Sequence, residues 1–161
     1  MKKLFAFLFL LSFVCCAEET DLIPAPFKGW YRRASAQLTF ADGIYTITAN
    51  TDPKVNGFQR SMVMIPLKGA SLQNRKFELS FKYRTAKLNG GLQVLVRETF
   101  GKRGIYHGAS LKRWDVSPEW KEFKCTFTTR SDAEALWLYI AGRYMKGGEK
   151  VELKDLKLIL L

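Results

Sequence analysis

The sequence predicts an all-β protein built as a two-sheet antiparallel β-sandwich. Three observations carry that prediction. Apolar and polar residues alternate with period two through most of the chain after residue 35, the repeat of a strand with one buried face. No long stretch shows the period of an amphipathic helix. About eight strand-like segments follow at short spacing, separated by turn residues, the layout of a sandwich.

Taken in order, Gln37 to Phe40 and Ile44 to Thr48 flank Ala-Asp-Gly, a hairpin signal with Gly43 in the turn. Phe58 to Ile65 reads as a further strand that Pro66 ends, and Lys68 to Lys76 as a polar connection. Phe77, Leu79, Phe81 and Tyr83 alternate with Glu78, Ser80, Lys82 and Arg84 in a half-buried strand. Asn89-Gly90-Gly91 marks a turn, after which Leu92, Val94 and Val96 alternate with Gln93, Leu95 and Arg97. Phe100 to Pro118 reads as a long polar and aromatic loop with at most a short strand near Ile105 to Leu111. Trp120 to Thr128 sets Phe123, Cys125 and Phe127 on one face. Ala135 to Ala141 sets Leu136, Leu138 and Ile140 on one face and Trp137 and Tyr139 on the other. A last strand runs from Val151 to about Leu160. The alternating apolar residues from Phe77 to Ile140 are the expected core.

The chain of 161 residues suits one domain with a substantial core. Its start is of another kind. Lys2 and Lys3 precede an apolar run from Leu4 to Val14, then small residues at Cys15-Cys16-Ala17 and polar Glu18-Glu19-Thr20, the order of a secretory signal peptide. The run is far shorter than the roughly 20 residues of a membrane-spanning helix. The expected organisation is a signal peptide over 1–17, a lead-in over 18–35 and the sandwich over 36–161. Export leaves a secreted or periplasmic protein, and lipid attachment at Cys15 or Cys16 is the alternative that would tie it to a membrane of the cell envelope.

One cysteine remains beyond the leader, Cys125, so an internal disulfide is excluded and stability rests on the apolar core. The chain is basic, with a net charge of +11, which favours anionic partners. The charges are dispersed along strands with no long basic run, and an export signal argues against nucleic acid as a partner.

Four segments occur in a recognisable order: Phe58-Gln-Arg-Ser-Met-Val-Met-Ile-Pro-Leu, Lys76-Phe-Glu-Leu-Ser-Phe-Lys-Tyr-Arg84, Ser117-Pro-Glu-Trp-Lys-Glu-Phe-Lys-Cys-Thr-Phe127, and Gly148-Glu-Lys-Val-Glu-Leu-Lys-Asp-Leu-Lys-Leu158. This order resembles the carbohydrate-binding modules of the galactose-binding-like jelly-roll group, over residues 36 to 160. The resemblance implies a jelly roll and a sugar-binding role. It also implies a structural calcium ion held partly by an acidic residue of the last strand, here Asp155. The chain opens on Gly29-Trp-Tyr-Arg-Arg, which offers that ion no acidic partner, so the expectation is a domain without cofactor or metal.

Sugar recognition by a sandwich combines aromatic rings that stack on a pyranose with planar polar groups that bind its hydroxyls. Trp137 and Tyr139, with Arg143 and Tyr144 just beyond, supply both, and Gln93, Arg97, Lys82 and Arg84 join them if their strands share that sheet. Covering of the two rings by the protein's own loops is the structural alternative. The Phe100 to Trp114 stretch adds Arg103, Tyr106, His107, Arg113 and Trp114, a basic aromatic set suited to an acidic sugar, whose carboxylate an arginine can grip with two hydrogen bonds. The candidate ligand-binding residues are therefore Trp137, Tyr139, Arg143, Tyr106, Trp114, Arg97, Gln93 and Arg84.

Catalysis is not expected. Glycoside hydrolysis commonly needs two facing carboxyl groups, and Glu98 and Asp115, the nearest to suitable, have no evident pairing. No phosphate-binding glycine loop, metal-ligand spacing or nucleophile-base arrangement stands out. The expected function is secreted, non-catalytic binding of a polysaccharide or cell-envelope glycan, with an anionic preference. The alternative is a structural or adaptor domain of the envelope that binds a protein partner.

Overall fold

The alternation does become strands. The computed structural model describes residues 20–23, 36–49 and 59–161. The expected signal peptide, most of the lead-in, and Phe58 lie outside the described residues. Among them run nine strands: β1 (Ala36–Ala41), β2 (Ile44–Ala49), β3 (Gln59–Lys68), β4 (Lys76–Thr85), β5 (Gly91–Phe100), β6 (Arg103–Lys112), β7 (Ser117–Thr128), β8 (Ala135–Arg143) and β9 (Lys150–Leu160). One sheet has the order β1-β2-β9-β4-β7 and the other β3-β8-β5-β6. Every pairing is antiparallel. Only β1–β2 and β5–β6 are hairpins within a sheet. After β3 the chain otherwise changes sheet at each connection, which makes the sandwich a jelly roll.

Local chemistry explains the elements. Asp42 and Gly43 both have positive φ, 51° and 75°, the two-residue turn whose twist matches the strands it joins. The inward faces of β4, β5, β8 and β9 meet in one core that includes Phe77, Leu79, Phe81, Leu92, Val94, Val96, Leu136, Leu138, Ile140, Leu153 and Leu158. Removing each such side chain from water contributes about 1.5–3 kcal/mol. Phe127 is buried with them, while Phe123 and Cys125 pack on the core only partly buried, because β7 is an edge strand. Burial pushes the Cys125 thiol above its ordinary pKa.

β9 keeps its apolar residues inside by a bulge. Val151 and Leu153 face inward, and so do Leu156 and Leu158, although the two pairs are out of phase. The phase change falls where the register on β4 shifts between Ser80 and Lys82 and where Asp155 takes a positive φ of 52°. β2 accompanies β9 only as far as Lys154. Beyond that, Asp21 of the lead-in bridges to Ile159, and the Leu22 N–H donates to the Leu158 carbonyl at 2.9 Å. The Asp21 carboxylate accepts from the Leu158 N–H at 3.1 Å, and Ile23 enters the core.

Three expectations are corrected. Pro66 does not end β3, which continues to Lys68. β3 is an edge strand, and its register on β8 is interrupted between Met64 and Lys68, where a residue without an N–H is tolerated. The connection after β3 carries a short 3-10 turn, Gly69–Ser71, and drives Leu72 into the core. Most consequential, Phe100 to Pro118 is not a long loop, because ten of its residues are β6, paired with β5 along its whole length. Gly104 and Gly108 break the apolar alternation there and hide the strand from a pattern reading.

Candidate functional site: the outer face of the four-stranded sheet

Pairing in the four-stranded sheet fixes which residues share its outer face. Arg97 of β5 lies opposite Trp137 of β8 and Tyr106 of β6. Two residues along, Leu95 lies opposite Tyr139 and Gly108; two further, Gln93 lies opposite Ala141 and Ser110. The conditional expectation that Gln93 and Arg97 join the Trp137 face is thus met, and Tyr106 joins them from a strand.

The rings on this face differ in access. Tyr106 is 53% exposed, whereas Tyr139 is 5% exposed and packs with buried Leu95 and Ala141 in a small second apolar cluster. The Tyr106 ring meets that of Tyr139 edge-on, with centroids 6.0 Å apart. Tyr139 is therefore corrected from a ligand-facing ring to a supporting one: the centre of the face is filled, and the accessible ring stands on β6. Trp137 is half-buried.

Arg97 lies between exposed Tyr106 and half-buried Trp137. Its guanidinium carbon is 6.0 Å from the Tyr106 ring centroid. Gly104 makes this possible: a Cβ there would sit 2.9 Å from Arg97 Nε and 3.0 Å from the Glu98 carbonyl oxygen, so only a residue without a side chain lets the arginine lie across β6. Arg97 Nε is buried and takes no hydrogen-bond partner among the described residues. A buried donor without a partner is costly. The row Trp137–Arg97–Tyr106 thus sets an aromatic side chain on either side of a guanidinium whose Nε has no partner among the described residues.

The remaining candidates divide. Gln93 is half-buried on the same face, beside exposed Ser110. Arg84 is not there: β4 belongs to the other sheet, as does Lys82. Arg84 Nε donates to Glu152, and its guanidinium lies 4.6 Å from the Trp120 ring centroid, with Lys154 4.3 Å from the same ring. Arg143 ends β8 opposite Gly91, and Trp114 lies in the 3-10 turn Arg113–Asp115. The side chains of both lie outside the described residues. Tyr144 begins the loop after β8 and is strongly exposed.

The two carboxyl groups nearest to a catalytic pair in the sequence, Glu98 and Asp115, both accept hydrogen bonds from the backbone. Glu98 is fully buried and accepts from the Arg130 backbone N–H at 2.8 Å, with His107 Nε2 at 3.0 Å from its other oxygen. Asp115 accepts from the Lys112 N–H at 2.7 Å within the short turn after β6. Asp155, the residue implied in a calcium site, pairs with Lys82 at 3.0 Å. Among the described residues no group of three or more His, Cys, Asp or Glu side chains is placed to hold a metal ion. None of their helices is long and apolar enough to cross a membrane.

No family model matches the chain, and no curated protein sequence matches it. Solved structures do. A family 16 carbohydrate-binding module superposes with a TM-score of 0.55 at 11% identity, over 77% of this chain and 84% of the other. The fold is that of the carbohydrate-binding modules. A family 29 module from Piromyces equi gives 0.52 at 13% identity over 89% and 85% of the two chains. The xylan-binding domain of Paenibacillus barcinonensis Xyn10C gives 0.52 at 14% identity over 82% and 85%. The enzymatically active domain of a bacteriophage tailspike also matches, at a TM-score of 0.51 and 13% identity, but the match spans only 21% of that chain. The jelly roll implied by the four ordered segments is therefore present, and at these identities the likeness concerns architecture.

Proposed function

We propose that the protein is a secreted, non-catalytic carbohydrate-binding module that takes polysaccharide chains across the outer face of its four-stranded sheet and prefers anionic ones. The observation that carries this reading is the row Trp137–Arg97–Tyr106, with its exposed ring and its buried, unpartnered guanidinium nitrogen. A pyranose stacked on Tyr106 places ring oxygens and substituents beside Arg97, and an acidic substituent turns that contact into a charge-assisted hydrogen bond. The positive net charge draws acidic polysaccharide to the domain, an attraction that weakens as salt rises. The sugar-binding modules among the structural neighbours support the class of ligand. No cofactor enters this reading.

Affinity electrophoresis in gels containing neutral or acidic polysaccharide tests it. Wild type is expected to be retarded most by acidic chains, Tyr106→Ala to be retarded less than wild type in both gels, and Arg97→Ala to show a smaller difference between acidic and neutral gels. Retardation unchanged in both variants would place the site elsewhere. No retardation in any gel would turn the reading towards a protein partner in the cell envelope. N-terminal sequencing of exported protein, expected to begin at Glu18, tests secretion.

A further inference from the structure

A concavity lies at one end of the sandwich, and none of its lining residues belongs to the row that carries Tyr106. The β4–β5 connection and the β8–β9 loop meet there around a cleft of about 370 Å³, lined among others by Arg84, Lys87, Glu149, Lys150 and Glu152. A second hollow of about 290 Å³ adjoins it, lined by Lys87, Asn89, Lys146 and Gly147 to Glu149. Glu149 belongs to both walls.

Glu149 is a charged residue only 3% exposed. One of its oxygens is fixed by the Asn89 backbone N–H at 2.8 Å and by the Asn89 side chain. The other, Oε2, is buried with no hydrogen-bond partner among the described residues. The cations around it fall into two groups. Arg84 and Lys150 are engaged by Glu152. Lys87 and Lys146 are exposed and form no ion pair among the described residues. A metal ion is a poor occupant of two adjoining hollows with four basic side chains on their walls, Arg84, Lys87, Lys146 and Lys150. A simple anion leaves the Glu149 oxygen unsatisfied and is repelled by it. The occupant that satisfies every group has hydroxyl donors for Glu149 and one negative charge for the two lysines.

We propose that this end cleft is a second carbohydrate site, which takes an acidic sugar residue with a hydroxyl on Glu149 Oε2 and its carboxylate between Lys87 and Lys146. Tyr144, 74% exposed, belongs to the same β8–β9 loop as Lys146. The site shares no residue with the outer face of the four-stranded sheet, so either can exist without the other. A module with both would hold two segments of acidic polysaccharide at once and so cross-link chains.

Amide NMR of the folded protein titrated with galacturonic acid, glucose and acetate tests the assignment. Galacturonate is expected to shift the amides of Lys87, Asn89 and Gly147 to Lys150 saturably, and glucose or acetate far more weakly. Glu149→Gln, which keeps an acceptor for Asn89, and Lys87→Ala/Lys146→Ala are each expected to raise the Kd about tenfold or more. Tyr106→Ala is expected to leave these shifts unchanged, which separates this site from the face site. Absence of saturable shifts, equal response to acetate, or full binding by the double lysine variant would overturn the proposal.

Discussion

The imidazole of His107 lies flat on the ring of Phe127, with 4.2 Å between centroids and 5° between planes. This contact ties edge strand β6 of one sheet to edge strand β7 of the other. The same imidazole meets the buried Glu98 carboxylate, whose second oxygen holds the backbone at Arg130 after β7. Three segments therefore converge on one fully buried carboxyl group. Glu98→Ala leaves the Arg130 N–H and the His107 nitrogen unpartnered in the interior and is expected to cost about 3 kcal/mol. Urea denaturation should show a lower midpoint with an unchanged slope. An unchanged midpoint would mean that the carboxylate is not holding the edge closed.

Tyr139 and Tyr106 touch on one face yet should answer truncation in opposite ways. Tyr139 is buried against Leu95 and Ala141, so Tyr139→Ala opens a cavity and is expected to cost about 3 kcal/mol. Tyr106 is exposed, so Tyr106→Ala should move stability by less than about 0.5 kcal/mol while reducing polysaccharide retardation. Equal thermal shifts in the two variants would contradict the division of labour between a supporting ring and a contacting one.

Glu152 makes stability depend on acid. Lys150, at 2.6 Å, and Arg84 hydrogen-bond its carboxylate and hold it below the ordinary glutamate value of 4.5. A carboxyl whose pKa is depressed by folding contributes its stabilisation in full above the unfolded value. That contribution is lost as the pH falls from there through the lower, folded value. Thermal melts from about pH 6 to about pH 3 should therefore show a smaller acid-induced fall in Glu152→Gln than in wild type. An identical fall would assign acid sensitivity to other carboxyl groups.

Strand phase was legible in the sequence where one face is purely apolar. Phe77 to Tyr83, Leu92 to Val96 and Leu136 to Ile140 alternate without interruption, and all three segments are strands with those residues inside. Phase was illegible where glycine or charge stands at an inward or paired position. β6 places Ile105, His107, Ala109 and Leu111 in phase, but a histidine on a buried carboxylate does not read as core, and Gly108 adopts a φ of 133° that no side chain favours.

The candidate site shows the same limit. Trp137, Gln93 and Arg97 could be placed on one face as soon as β5 and β8 were taken as neighbours. Arg84 looked equivalent to them, since it too stands at an outward polar position of an alternating strand. Sheet membership separates Arg84 from Arg97, and that is decided by how the chain crosses between layers, not by any local pattern. The burial of Tyr139 and the open oxygen of Glu149 are likewise tertiary facts. A glutamate after Gly147-Gly148 reads as an ordinary polar turn residue until Asn89 is found against it.

The pairing of Asp21 and Leu22 with the end of β9 has a mechanical consequence. The bridge is antiparallel, so Asp21 at the start of the described lead-in and Ile159 near the end of β9 lie side by side at one end of the sandwich. A load applied between those two points opens the pairing one hydrogen bond at a time, like a zip, instead of shearing several together. It would release Ile23 from the core before it strained either sheet. Two points so close can also be joined by a short linker and the chain reopened at the Asp42-Gly43 turn, which gives a permuted domain with the same packed interior.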